Sequence, residues 1–286
     1  MNSKLGVKLG EGGCAEVYAW EGESKIIKLA KPNTIIEALQ AELHHCRIAW
    51  SCGLTVPQPF EMQEVEERWG IVFERVHGDS IMKKFVETTL DRSRHNQPLH
   101  VSEDYIDARI TAQMLYQVHS HSVPNMPSQR DNIKHDIQRA QYLSEAEKAR
   151  VIELLDQIPT KQQLCHGDPN PGNIILRDHD AIMIDWNNAS VGNPEADLAE
   201  YIIMIQYAIL PANVPQEVHE ALEATREESI RMFIEQYERL SGISEVDIEP
   251  WMVVVASRKL AADGISEEEK GLLVQEIQRR LHSTPK

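Results

Sequence analysis

The hydrophobic period of this chain changes once, near residue 76, and that change limits the fold more than any single residue does. Before it, residues 5–9, 16–20 and 25–29 read as three short antiparallel strands divided by glycine turns, and residues 60–65 and 70–76 add two more. Between the two sets, Ile35, Leu39, Leu43, Cys46 and Trp50 recur at steps of three and four, the spacing of a helix, and Gly53 supplies its stop. After "VHGDS" (76–80) the pattern is helical over residues 105–119, 131–142, 145–157, 196–209, 218–240, 250–262 and 267–281. The expected class is α+β. Residues 1–76 form a five-stranded antiparallel sheet with one helix, and residues 77–286 a mainly helical part; the polar stretch 88–100 is expected as a loop.

The 286 residues, 42% of them apolar, suffice for two cored units. The longest apolar run, 202–210, is too short to span a bilayer, and no basic segment leads into an apolar stretch at the start, so no membrane association and a cytoplasmic location are expected. Four cysteines in unlike contexts point to reduced thiols. Histidines 44–45 and 119/121 lack a third ligand at zinc spacing. A formal charge of −16 argues against nucleic acid as a partner, because phosphate binding needs basic surface. Nothing in the sequence identifies a protein partner or an internal repeat.

Strand-like runs at 163–166, 173–176 and 181–184 interrupt the helices and frame "HGDPNPGNIIL" (166–176) and "AIMIDW" (181–186). Asp168 and Asn173 lie five residues apart, and Asp185 ends the next apolar strand. An amide oxygen and a carboxylate are hard donors of the kind Mg²⁺ takes alongside substrate phosphates, which assigns Asn173 and Asp185 to the metal and leaves Asp168 as the group that receives a hydroxyl proton. The spacing matches the kinase signature H-R-D-L-x-x-x-N followed by D-F-G. Gly167 replaces the arginine that would read an activation-loop phosphate. Only five residues separate Asn187 from "NPEAD" (193–197), too few for a loop that holds a peptide, so a protein kinase is not expected.

Near the start, "LGEGGCAEVY" (9–18) follows G-x-G-x-x-G-x-V up to Ala15, which takes the last glycine's place. Gly10, Gly12 and Gly13 would let backbone N–H groups approach phosphates with no Cβ between. A strand lysine should follow. "KIIKLA" offers Lys28, with Lys25 and Lys31 as alternatives, and alternation sets Lys28 and Ile26 on the face opposite Lys25 and Ile27. Its carboxylate partner on the helix is Glu42, with Glu37 second.

"HGDPNPGNIIL", "IMIDWNNASVGNPEADLAEYIIM" and "WMVVVASRKLAADGISEEEKGLL" resemble the aminoglycoside phosphotransferase and choline kinase superfamily, in its antibiotic-kinase-like branch, over nearly the whole chain. The resemblance implies a protein-kinase-like two-lobe fold, use of ATP and Mg²⁺, and transfer to a hydroxyl of a small-molecule acceptor. It favours Lys28 as the phosphate lysine. It implies that the Glu74 carbonyl and Val76 N–H read adenine, with Phe73 behind the ring and Ile184 beneath it. His166 would hold the catalytic loop's backbone and Asp197 would cap its N–H groups, both as structural supports. Trp186 reads as core sooner than as a cation box. The acids at 195, 200, 217, 220, 223, 227 and 228 could line a cation pocket, although such spacing usually marks a solvated face. The expected acceptor is an aminoglycoside-type antibiotic or related cationic compound; the alternatives are a macrolide, choline or ethanolamine, a sugar or amino alcohol, or a catalytically silent nucleotide-binding protein.

Overall fold

The computed structural model describes residues 5–99, 105–177, 180–262 and 264–283, which divide into two compact units. The first runs up to Ser80 and takes back Asn173–Ala189; the second comprises Ile81–Gly172 and the chain from Ser190 onward. The expected boundary at 76/77 lies at 80/81 in the fold, and residues 173–189, expected with the helical part, fall in the first unit. In the fold that segment belongs to the first unit because its hydrogen bonds are there. The hairpin β8 (Ile174–Arg177) and β9 (Asp180–Met183) pairs through β8 with β6 (Asp79–Ser80), and the Met183 N–H reaches the Thr55 carbonyl at 3.1 Å.

The first unit's main sheet has the order β1 (Leu5–Glu11), β2 (Ala15–Trp20), β3 (Lys25–Ala30), β5 (Arg68–Glu74), β4 (Pro59–Val65), antiparallel throughout. Alternation sorts its side chains by face. Trp20, Ile27, Leu29 and Val72 form a buried cluster on one face. Register sets Val17 opposite Lys28, Ile26 opposite Phe73 and Lys28 opposite Ile71, so these five share the other face. Helix α1 (Ile36–Ser51) packs against β4 and β5 and buries Leu39, Glu42, Leu43, His45 and Cys46. In the small sheet, Gly78 (φ +145°) permits a close approach, because a Cβ there would stand 2.2 Å from the Leu176 carbonyl oxygen.

The second unit is built from α2 (Ile81–Arg94), α3 (Ile106–His119), α4 (Gln129–Arg139), α5 (Glu145–Gln157), α6 (Pro194–Tyr207), α7 (Gln216–Ser241), α8 (Glu245–Lys259) and α9 (Glu267–Ser283). The expected loop at 88–100 is largely helix: α2 runs to Arg94, because Ile81 and Thr89 bury one face and the polar residues lie on the other; His100 falls outside the described residues. The two strands β7 (Gln163–Cys165) and β10 (Ser190–Gly192) pair antiparallel. Helices α6 and α8 form the centre, with Leu198, Ile203, Val254 and Trp251 fully buried, and Tyr201 stacks on Phe233 at a centroid distance of 3.9 Å.

Candidate active site

In the first unit, β3 presents Lys28 among Val17, Ile26, Ile71 and Phe73. Its ammonium donates to Glu42 Oε1 at 2.6 Å and to Asp185 Oδ1 at 3.0 Å. The partner on the helix is thus Glu42. Burial works against a charged Lys28, but the Glu42 and Asp185 carboxylates outweigh it and hold the lysine above its usual pKa. For Glu42, burial pushes the carboxyl upward, Lys28 opposes that, and Asp185 adds to it. One cation held between two carboxylates leaves a net negative centre with hard oxygen donors, which suits a divalent cation.

Asp185 sits at φ +66°, ψ +66°, in the left-handed region, at the entrance of the 3-10 turn Trp186–Asn188. Short polar side chains tolerate this region best. The conformation is held from several sides. Asn187 Nδ2 donates to Asp185 Oδ1 at 2.6 Å, and His45 Nδ1 donates to the Trp186 carbonyl at 3.0 Å. The fully buried Trp186 donates from Nε1 to the Met183 carbonyl, so it is core and not a cation box. Asn173, also in this unit, accepts the Ile184 N–H on its backbone carbonyl at 2.9 Å.

The glycine-rich turn joins β1 to β2, closed by the Gly12 N–H donating to the Ala15 carbonyl at 2.9 Å. A Cβ at Gly10 or Gly13 would meet nothing within 4 Å, and neither residue has a left-handed φ. The fold therefore does not demand glycine there, whereas a ligand approaching the backbone would. The turn is anchored at Cys14, whose carbonyl accepts from Thr34 Oγ1 at 2.7 Å and from the Lys31 N–H at 2.9 Å. Lys31 pairs with Glu11 and Lys25 with Glu21, so Lys28 is the strand lysine directed to Glu42 and Asp185. At the end of β5, the Glu74 N–H is donated to Gln58; Val76 and Ile184 are half-buried.

In the second unit, "HGDPN" is held from below by Asp197. Its carboxylate accepts the His166 N–H at 2.6 Å and the Gly167 N–H at 3.1 Å, and His119 Nε2 approaches at 3.2 Å. Burial alone would raise Asp197, but the His119 hydrogen bond and the neighbouring imidazoles and N–H groups hold it below the usual carboxylate value. His119 completes a buried chain through Nδ1 to the Tyr237 hydroxyl at 2.7 Å. Cys165 joins His119 and Asp197 within 4.8 Å, a grouping absent from the sequence reading of the histidines because its members are distant in sequence. The fully buried His166 receives the Asp168 N–H on Nδ1 at 3.3 Å. Gly167 adopts φ +80°, the left-handed turn that sets Asp168 apart from the strand. Asn170 makes an Asx turn, accepting the Gly172 N–H at 2.7 Å, so the loop's second amide is a turn residue.

Arg258 was not singled out from the sequence. It lies in "SRKL" on α8 and donates to the Gly167 carbonyl at 3.1 Å, with Asp136 and Glu200 each 3.5 Å away. Beside it, Lys259 pairs with Glu200 at 2.9 Å. Both cations are half-buried, and carboxylates including Asp168 hold their pKa values above the usual range against the cost of burial. The only signal in the sequence was an Arg-Lys pair closing an otherwise apolar helix.

The acids read as a cation pocket or a solvated face behave differently. Glu195 and Glu200 are buried, paired with Lys161 and with Lys259 and Arg258. Along α7, Glu223 pairs with Arg226 and Glu228 with Arg231. Burial without a cation would be prohibitive, and the cations come from α8 and from the segment between α5 and β7.

The model of the phosphotransferase enzyme family matches residues 10–239, four-fifths of the chain, from the glycine-rich turn through the loop at 166–173 and into α7. The chain belongs to that family. It is a member of the aminoglycoside phosphotransferase and choline kinase superfamily, with the protein-kinase-like α+β fold expected from its motifs. Among solved structures, a thermostable mutant of aminoglycoside phosphotransferase APH(4)-Ia is 14% identical with a TM-score of 0.64, covering 98% of this chain and 94% of its own. Amicoumacin kinase hAmiN, in complex with AMP-PNP, Ca²⁺ and Ami, is 14% identical with a TM-score of 0.63, covering 100% and 90%. Choline kinase LicA from Streptococcus pneumoniae is 16% identical with a TM-score of 0.63, covering 98% and 93%. At these identities the similarity establishes the fold. No curated protein matches this family member significantly in sequence. Among the described residues, no helix is long and apolar enough to cross a membrane.

Proposed function

We propose that this phosphotransferase-family protein is an ATP- and Mg²⁺-dependent kinase that moves the γ-phosphate of ATP to a hydroxyl of a small molecule. The observation that carries the reading is Lys28 held between Glu42 and Asp185, an arrangement that has no need of two carboxylates unless one of them serves something else. Amicoumacin kinase with AMP-PNP and Ca²⁺ supports nucleotide and divalent-metal use by analogy of fold.

In this reading the open-faced Gly10, Gly12 and Gly13 turn and Lys28 bind the phosphates, while the Glu74 carbonyl, Val76 N–H, Phe73 and Ile184 hold the adenine. Asn173 and Asp185 would hold Mg²⁺, which would supply neutralisation of the phosphate charge. Asp168, on the loop braced by His166, Asp197 and Arg258, orients the acceptor hydroxyl and receives its proton. The hydroxyl oxygen forms its bond to the γ-phosphorus as the bond to the β–γ bridging oxygen breaks, leaving ADP. The transition state of such transfers is loose, so Asp168 contributes chiefly by alignment. With its four cysteines free, the protein suits a reducing cytoplasm.

The test is ATP consumption with Mg²⁺ against aminoglycosides, macrolides, choline, ethanolamine and small sugars, beside Asp168→Asn. Turnover with an acceptor should fall by about 10² to 10⁴ in the variant with little change in KM for ATP. Binding of AMP-PNP without turnover of any hydroxyl compound would favour a silent nucleotide-binding protein, and absence of nucleotide binding would overturn the assignment.

A further inference from the structure

Tyr237 lies on α7 one turn after Phe233, and both rings are fully buried. Phe233 packs on Tyr201 with no polar atom of its own, whereas Tyr237 carries a hydroxyl into the same interior, where a hydroxyl without a partner is costly. Its partner is His119, the last residue of α3, whose Nδ1 lies 2.7 Å from the phenol oxygen. The two rings meet edge-on at a centroid distance of 5.7 Å, and Tyr116 meets Tyr237 in the same way at 6.3 Å, so the phenol is held in place by its neighbours.

The acceptor at the far end of the chain sets the direction of both hydrogen bonds. Asp197 stays below its ordinary carboxylate value against the cost of burial, so its Oδ2 accepts only, and His119 Nε2, 3.2 Å away, carries the hydrogen. A neutral ring with its hydrogen on Nε2 has a bare Nδ1 that accepts. Tyr237 is the donor to it. Burial, and then the Asp197 charge, push the phenol above its ordinary value and keep its proton in place. Asp197 in turn accepts the His166 and Gly167 N–H groups at 2.6 and 3.1 Å, directly before Asp168. Without the phenol, the ring can place its hydrogen on Nδ1, which sets a bare Nε2 against the carboxylate and loosens Asp197 from the N–H groups it holds.

We propose that Tyr237 is a positioning residue: its hydroxyl fixes the Nε2–H tautomer of His119 and, through His119 and Asp197, holds the loop that carries Asp168. For its effect on turnover the proposal rests on the kinase reading above; the bracing of the loop does not depend on that reading.

The experiment compares the full-length wild type with Tyr237→Phe, which keeps the ring, with His119→Gln, which keeps a donor towards Asp197, and with the double variant. Long-range proton–nitrogen NMR spectra of the wild type, with His119 assigned from its absence in His119→Gln, should show an N–H nitrogen at Nε2 and a bare nitrogen at Nδ1. In Tyr237→Phe the Nδ1 signal should move towards that of a nitrogen accepting no hydrogen bond. Amide exchange at His166 and Gly167 should quicken about three- to tenfold in Tyr237→Phe, as expected for one buried hydrogen bond, while amides of the β2–β3–β5 ladder keep their wild-type rates. With the acceptor found in the ATP-consumption screen, kcat should fall about three- to tenfold and KM for ATP should stay within about twofold. The double variant should be no slower than His119→Gln, because both substitutions break one chain.

A hydrogen on Nδ1 in the wild type would overturn the proposal, as when Nε2 joins Cys165 and Asp197 on a metal ion. So would unchanged exchange at His166 and Gly167, an equal quickening in the ladder, or losses that add in the double variant. The arms separate the two readings. Amides that respond while no acceptor is turned over defeat the kinase reading, and with it the role in turnover, and leave the bracing of the loop. An unchanged kcat per folded Tyr237→Phe molecule defeats the positioning role and leaves the kinase reading.

Discussion

The Arg258 guanidinium donates to the carbonyl of Gly167 at 3.1 Å, directly before the candidate base Asp168. The same guanidinium faces Asp136 and Glu200, so it ties the α8 helix and two acids to one backbone carbonyl of the loop that carries Asp168. On the kinase reading proposed above, Arg258 acts as a positioning residue. Arg258→Met should lower kcat by about 10- to 100-fold while KM for ATP changes little, because misplacing the base costs alignment and not nucleotide binding. Arg258→Lys should recover part of kcat by restoring the charge without the fork. A purely structural role would lower the melting temperature and active fraction of both variants and leave kcat per folded molecule unchanged.

Asp185 combines a carboxylate with a left-handed backbone, and the two can be separated by substitution. Asparagine keeps the tolerance for φ +66° and loses the charge; alanine loses both. Asp185→Asn should melt close to the wild type, since Lys28 keeps Glu42 as partner, while Asp185→Ala should be less stable by about 1 kcal/mol. Neither should turn over at any Mg²⁺ concentration. Thermal melts and a Mg²⁺ titration of turnover check both statements, and an Asp185→Ala enzyme that turns over with the wild-type Mg²⁺ dependence would remove Asp185 from the metal site.

The buried Asp197 makes stability depend on acid. Its folded pKa lies below the unfolded value of about 3.9, so its contribution is fully present above that value and disappears as pH falls through the lower, folded pKa. Asp197→Asn should cost about 2 kcal/mol or more near neutrality, because the His166 and Gly167 N–H donors lose a charged acceptor. The difference from wild type should shrink on acidification below pH 4. Urea unfolding of both proteins from pH 7 down to pH 3 measures it; a difference that grows with acid would mean that Asp197 is protonated in the fold.

Cys14 is exposed on the glycine-rich turn, whereas Cys46 and Cys165 are buried and burial pushes both thiols well above the usual range. A disulfide reagent at pH 8 should therefore react quickly with Cys14, slowly with the half-buried Cys52, and with Cys46 and Cys165 only after denaturation. Mg²⁺ with AMP-PNP should slow the fast reaction and leave Cys52 unaffected, with Cys14→Ser as the control that removes the fast phase. Unchanged Cys14 kinetics at saturating nucleotide would place the phosphates away from this turn.

Local pattern carried much of this fold. Alternation in "KIIKLA" set Lys28 apart from Ile27 and Leu29, and the ladder β2–β3–β5 keeps that division. The α1 period brought Glu42 one turn from Cys46, on the buried side of the helix. Helix α2 escaped notice because its apolar stripe is narrow and its polar residues resemble those of a loop; a few tertiary contacts at Ile81 and Thr89 outweigh that composition. The return of residues 173–189 to the first unit also lay outside local pattern, because a pairing of β8 with β6 joins segments almost a hundred residues apart.

The amino-acid sequence by itself determined the family, the α+β class and the residue types that can carry phosphoryl transfer, because fixed spacings within a loop or strand are local properties. Tertiary structure alone decided how the charges are spent. Glu195 and Glu200 look like a solvated or cation-binding face until Lys161, Lys259 and Arg258 are found against them, and nothing in the local pattern marks Arg258 until its guanidinium meets Gly167. The reason is physical: a charge is stable in an interior only beside its opposite, and the opposite can come from any part of the chain that folding brings near.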